Sequence, residues 1–182
     1  MSVITRRGDD GQTDFMFGRR CSKNSLRVHA YGEVDELSAA LGMALALRVS
    51  AAVAELLEAV QERLAPLMGE LATLPEDAAE YRRRGYATLR REDADWLERR
   101  AHFFESEVGI RFEGWVRPGR GASPGVAALE LARTVCRRAE RAVLALHEQQ
   151  PLTNAAIPIF LNRLSDVLWL ASRYESELST VL

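Results

Sequence analysis

Apolar residues recur every three or four positions along most of this 182-residue chain, in five separate runs. Val28, Tyr31, Val34, Leu37, Leu41 and Leu45 mark one side of a helix over residues 26–47. Leu57, Val60, Leu64, Leu67 and Leu71 mark a second over 51–72. Pro66 falls inside it, where the missing N–H predicts a kink or a local break. Leu97, Ala101, Phe104 and Val108 predict a third helix over 89–108. A fourth covers 124–148, with Ser123 as its cap and Pro124 in its first turn. Ile157, Leu161, Leu164, Leu168 and Ala171 mark a fifth over 153–178. Between them, 73–88 and 109–124 carry the glycines, prolines and charges of surface connections. Residues 1–24 show no helical period and read as an ordered loop or short strands.

Long helices with no strand–helix alternation predict an all-α protein, a five-helix bundle preceded by an ordered glycine-rich loop. A chain of this length suits one domain, here 1–182, with 1–24 as the loop and 25–182 as the bundle. The formal net charge of -2 argues against a broad field for nucleic acid. Cys21 and Cys136 form no CxxC, and His29, His102 and His147 are dispersed, so neither a disulfide framework nor a protein-held metal site is expected. The N-terminus lacks an apolar leader, and the run Ala39–Ala46 is too short for a bilayer. A soluble cytoplasmic protein is the expectation.

The placement of charge says more than its sum. Arg133, Arg137 and Arg141 stand at four-residue spacing and stack along one side of the fourth helix, with Arg138 beside them. Like charges so placed repel, so an anionic ligand or a facing carboxylate is required. A second concentration lies in Thr5-Arg6-Arg7-Gly8-Asp9-Asp10-Gly11-Gln12-Thr13. It lacks Walker A spacing, yet a glycine-rich turn can aim successive N–H groups at phosphate oxygens. Arg19, Arg20 and Lys23 add charge nearby. All 24 basic residues are arginines except Lys23, so lysine is not the default choice there. Asp9 or Asp10 could meet a magnesium ion together with phosphates. By itself the segment also reads as a polar surface turn. Arg82-Arg83-Arg84 reads as a solvated face. Asn162 and Asp166 share a polar side of an otherwise apolar helix, and such groups need partners when buried. Cys136 reads as a small core residue.

Taken together, these blocks resemble the PduO-type ATP:cob(I)alamin adenosyltransferases, the corrinoid adenosyltransferase family. The likeness rests on Thr5 to Thr13 with Ser22-Lys23 and Arg27, leading into Tyr31-Gly32-Glu33-Val34-Asp35-Glu36-Leu37. It continues through Arg133 to Arg141 and Phe160-Leu161-Asn162-Arg163-Leu164-Ser165-Asp166. The resemblance implies transfer of the 5′-deoxyadenosyl group of ATP to reduced cob(I)alamin or a related corrinoid, with inorganic triphosphate leaving. It implies a homotrimer with ATP at subunit interfaces, wrapped by the N-terminal loop. Thr5, Arg6, Arg7, Gly8, Asp9, Gly11, Thr13, Lys23 and Arg27 would then belong to the ATP end. Arg137, Glu140 and Arg141 would join them from the fourth helix, and Asn162 and Asp166 from the fifth. Arg137 would be the first catalytic group. Asp35 would pair with Arg133, across or near the interface, at the corrinoid end. Trp115 would border the corrin. Magnesium would share the triphosphate charge, and a flavoprotein or cobalamin reductase would supply electrons. An adenosylcobalamin-dependent enzyme would take the product.

The chain departs from the family pattern in four places. Arg7 stands where Thr or Ser is usual, and Arg117-Pro118-Gly119-Arg120 replaces Leu-Pro-Gly-Gly. Glu130 stands where histidine is common, and Asp14 to Gly18 lacks the usual leucine-glycine run. These departures leave open a relative that carries or senses its ligand with little transfer. A purely structural helical protein would need neither ligand.

Overall fold

The computed structural model describes residues 4–119 and 122–181. Arg120 and Gly121 of the expected connection lie outside the described residues. Helix α1 spans Leu26–Ala46 and α2 spans Ala51–Leu71. A short α3 covers Ala78–Arg83, and α4 covers Arg91–His102. The long α5 spans Pro124–Gln149 and α6 spans Ala156–Val181. The protein is an all-α helical bundle, but its described residues hold six α-helices rather than five. The extra one, α3, has six residues and buries only Tyr81, too little to leave a periodic signature.

Helix α5 packs along α1 on one side and α6 on the other, while α2 lies against α1 and α4 against α6. The inward faces are those read from the sequence. Val34, Leu37 and Leu41 are fully buried on α1, and Leu57, Val60, Leu64, Leu67 and Leu71 on α2. Ser123 caps α5, its Oγ accepting from the Val126 amide at 3.3 Å. Helix α2 runs through Pro66 without a break. Pro66 lies on a half-exposed face, where water can meet the carbonyl that loses its donor. The third predicted helix stops early: α4 gives way to a π-turn over Phe103–Glu107. That turn keeps Phe104 in the core, so the apolar spacing continues across the change of winding.

The N-terminal segment forms a two-stranded hairpin. Strand β1 (Gln12–Asp14) pairs antiparallel with β2 (Arg20–Ser22), Thr13 opposite Cys21. The hairpin is docked on the bundle at the end where α2 finishes. Met16 N donates to Ala72 O at 3.0 Å, and Arg19 holds Asp77 through two bonds of 2.9 and 3.0 Å. The Arg84 guanidinium lies 4.9 Å from the Phe17 ring centre. Thus Arg84 of the triple arginine clamps the hairpin, and Glu80 binds both Arg83 and Arg84.

Arg27 belongs to this docking. Only 5% exposed, it donates to Leu71 O and Thr73 O, each at 3.1 Å, and to Gln150 Oε1 at 3.3 Å. It ties together the start of α1, the end of α2 and the end of α5, and burial lowers its pKa from the ordinary arginine value. The sequence grouped it with the ATP ligands; here its guanidinium serves the fold. Arg27→Met should therefore cost about 2–4 kcal/mol, because two buried carbonyls lose a charged donor. A urea unfolding midpoint measures this, and an unchanged midpoint would return Arg27 to the ligand set.

Candidate active site

A cleft of about 1180 Å³ opens between α4, the π-turn, residues 110–112, α5 and α6. Arg133 and Arg137 reach it from α5, Asp166 and Trp169 from α6. Phe112 completes one wall, its ring 5.6 Å from that of Trp169. One side is therefore cationic and another aromatic. Asp166 sits among these groups. The cleft wall strips water from its carboxyl and raises its pKa, while Arg163 and Arg137 pull the other way. The residue still keeps an exposed edge, so the shift describes a crowded carboxylate, not a sealed one. Arg163 bonds Glu98 at 2.8 Å.

The members of the arginine ladder have different surroundings. Arg137 is exposed, and its side chain has no partner among the described residues. Arg141 Nη1 donates to the Arg137 carbonyl at 3.0 Å. Arg138 binds Glu33 and Glu36 on α1, so it serves the α1–α5 seam. Arg133 Nε donates to Glu130 Oε2 at 3.0 Å. The expected Arg133–Asp35 pair does not form within the chain. Asp35 is exposed on α1, and Arg133 has a nearer carboxylate one turn away on its own helix.

The glycine loop is ordered by its own contacts. Lys23 Nζ donates to Gly8 O at 2.7 Å, and Lys23 N to Gly11 O at 2.9 Å. Arg20 binds Asp10 and the Arg7 carbonyl, while Arg7 pairs with Asp14 at 3.1 Å. Gly11 has φ +77 and so favours glycine, while a side chain at Gly8 would meet the tip of Lys23 at 2.7 Å and displace it from the Gly8 carbonyl. None of Thr5, Arg6, Arg7, Gly8, Asp9, Gly11, Thr13 or Lys23 lines the cleft that holds Arg137. Within one chain the two cationic regions stay apart.

A family model described as cobalamin adenosyltransferase matches residues 3–175. The chain belongs to this family. It is 36% identical to the corrinoid adenosyltransferase of Bacillus subtilis (strain 168) over 178 residues, 95% of this chain and 86% of the relative. It is 38% identical to the cobalamin adenosyltransferase of Cupriavidus metallidurans, covering 94% of this chain and 86% of that one. Among solved structures it resembles a variant PduO-type ATP:corrinoid adenosyltransferase from Lactobacillus reuteri, complexed with cobalamin and ATP. The TM-score is 0.87 at 32% identity, covering 98% of this chain and 96% of the other.

Several residues suggested by the family resemblance occupy defined places. Asn162 Nδ2 donates to Glu140 Oε1 at 3.0 Å, joining α6 to α5. Trp115 is 81% exposed and does not line the cleft. Phe112 and Trp169, neither singled out by the sequence, supply its aromatic wall. Trp169 follows Asp166 by one turn, but aromatics at helical spacing usually signal core. Among the described residues no group of three carboxylate, His or Cys side chains is arranged to hold a metal ion, and no helix is long and apolar enough to cross a membrane.

Cys136 is fully buried, with Sγ donating to Leu161 O at 3.3 Å. Burial pushes its thiol far up, reinforced by Glu140, despite neighbouring Arg137. A thiol reagent should modify Cys21 in the native protein and Cys136 only after unfolding. Mass mapping of the labelled peptides checks this; native labelling of Cys136 would contradict its burial.

Proposed function

We propose that this chain transfers the 5′-deoxyadenosyl group of ATP to the cobalt of a reduced corrinoid. The cobalt(I) electron pair forms the bond to C5′. The C5′–O bond breaks, its electrons leave with inorganic triphosphate, and adenosylcorrinoid is the product. Cobalt(I) is itself the nucleophile, so no protein base is needed. The step needs cations where negative charge localises on the leaving oxygen. Arg137 suits that role, because its guanidinium has no hydrogen-bond partner among the described residues and reaches the cleft. Arg141 stands one turn further along α5 and would extend the clamp along the triphosphate. ATP would enter as its magnesium complex, with Asp9 near the ion through water. Asn162, oriented by Glu140, would meet the nucleotide from α6.

The site is then completed by a second copy. The observation that carries this is the separation of loop and cleft within one chain. Exposed faces suited to such contact flank the ladder: Leu131 and Leu144 on α5, Met43 on α1 and Leu47 just past its end. The family resemblance supports a trimer as that assembly. Arg133 would then meet Asp35 of a neighbouring copy, and Trp115 would be covered at the corrinoid end. Inorganic triphosphate should compete with ATP, and more strongly than pyrophosphate, because it fills the whole leaving-group site. Calorimetric titration with ATP in the presence of each anion tests this. Equal affinity for ATP with and without saturating triphosphate would defeat the proposed phosphate clamp.

A further inference from the structure

Glu130 stands one turn before the ladder and lies inside the protein, its side chain 7% exposed. It is one of few charged residues in the core, so it must be paired. It has three donors. Arg133 Nε reaches Oε2 at 3.0 Å, Ser172 Oγ reaches Oε1 at 3.0 Å, and Arg173 Nη2 also binds Oε1. Two of these donors, Arg133 and Arg173, lead toward the cleft. Arg133 lines it directly. Arg173 places its guanidinium 5.9 Å from the Trp169 ring centre, and Trp169 in turn contacts Phe112. One buried carboxylate thereby holds the cationic wall on α5 and supports the aromatic wall on α6.

The charge balance also has a consequence. One carboxylate faces two guanidinium groups, leaving one positive charge in excess. Arg173 is half-buried beside the carboxylate, while Arg133 is open to the cleft. The excess is therefore available on Arg133, where an acidic group from outside the chain can meet it. A histidine at position 130 could not make these bonds to two arginines without losing its own proton first.

We propose that Glu130 is a positioning residue for the corrinoid: it orients Arg133 and, through Arg173, Trp169, and so sets how the cleft receives the macrocycle without touching ATP. This inference rests on the transferase reading above. Loosening the residues behind a binding wall shifts affinity for the ligand at that wall and spares ligands held elsewhere.

The test compares full-length wild type, E130Q, E130D and the double variant E130Q/R173Q. Corrinoid affinity is read by quenching of tryptophan fluorescence with cob(II)alamin, and KM is measured separately for corrinoid and ATP. E130Q should raise the corrinoid Kd and KM about tenfold while the ATP KM moves less than about twofold. E130D keeps the charge and should recover most of the loss. The double variant removes Arg173, the more buried of the two arginines that E130Q leaves without a carboxylate, and so eases the buried positive charge. Its corrinoid KM should stay raised, because neither Arg133 nor Trp169 regains its support. Recovery of the corrinoid KM in the double variant would reduce Glu130 to a counterion for Arg173 and overturn the proposal. Parallel shifts in both substrates, or E130D behaving as E130Q, would overturn it as well. Wild type that binds corrinoid but makes no adenosyl product would instead strike the transferase reading itself.

Discussion

Arg137→Ala should lower turnover by about 10²–10³-fold, the usual consequence of removing one preorganised donor from a developing anion. The fold should survive, because the Arg137 side chain is exposed and binds nothing among the described residues of its own chain. Arg137→Lys should fall between the two. It keeps the charge but loses the planar fork that takes two phosphate oxygens at once. Arg138→Ala is the internal control. It removes a cation one residue away but breaks only the pairs with Glu33 and Glu36, half-exposed contacts of the kind that contribute at most about 1 kcal/mol. Steady-state kinetics with saturating ATP and corrinoid separates them. Equal losses in Arg137→Ala and Arg138→Ala would remove Arg137 from its special role, since a general positive field would then suffice.

The second large effect concerns the division of the site between chains. Lys23→Ala should inactivate the loop, because it removes the ammonium that holds the Gly8 carbonyl and brings the loop its lysine charge, while the backbone bond to Gly11 stays. Arg137→Ala inactivates the helix side. Mixed after dissociation and reassembly, the two inactive proteins should regain about a quarter of wild-type activity. Half of the loops are intact and half of the arginine helices are intact. A site drawing one from each of two copies is therefore whole in the product of those fractions. Each mixed site needs the loop of an Arg137→Ala chain beside the helix of a Lys23→Ala chain. Activity that stays at the level of the separate variants would mean loop and ladder serve the same chain's site. The docked hairpin would then have to leave its contacts with Ala72 and Asp77 to reach the cleft.

How far the sequence could be read depended on whether a signal was local. Long amphipathic helices declare themselves by period, so α1, α2, α5 and α6 begin and end within a few residues of expectation. Helix α3 is too short for a period, and the hairpin strands are too short for an alternation. The π-turn hid because Ala101, Phe104 and Val108 keep the spacing of an unbroken helix. The candidate site was legible as chemistry but not as geometry. Four-residue spacing announced an anion or a carboxylate, and the carboxylate answer holds for two members: Arg138 found Glu33 and Glu36, Arg133 found Glu130, and Arg137 was left open. Those partners lie across helices or depend on rotamers, so spacing alone could not assign them. Arg27 has partners that spacing could not show. A basic residue beside Lys23 reads as a phosphate ligand until packing brings Leu71, Thr73 and Gln150 around it. Phe112 and Trp169 carried no polar signal, and only the cleft gives them a role.

The most direct test follows one atom. ATP labelled with carbon-13 at the ribose 5′ position is incubated with the protein and chemically reduced cobalamin, and the product is examined by carbon NMR. The proposed chemistry predicts that the label appears bonded to cobalt in adenosylcobalamin, with intact inorganic triphosphate released in equal amount. Label that stays in ATP while cobalamin binds would contradict transfer and leave a carrier or sensor in its place.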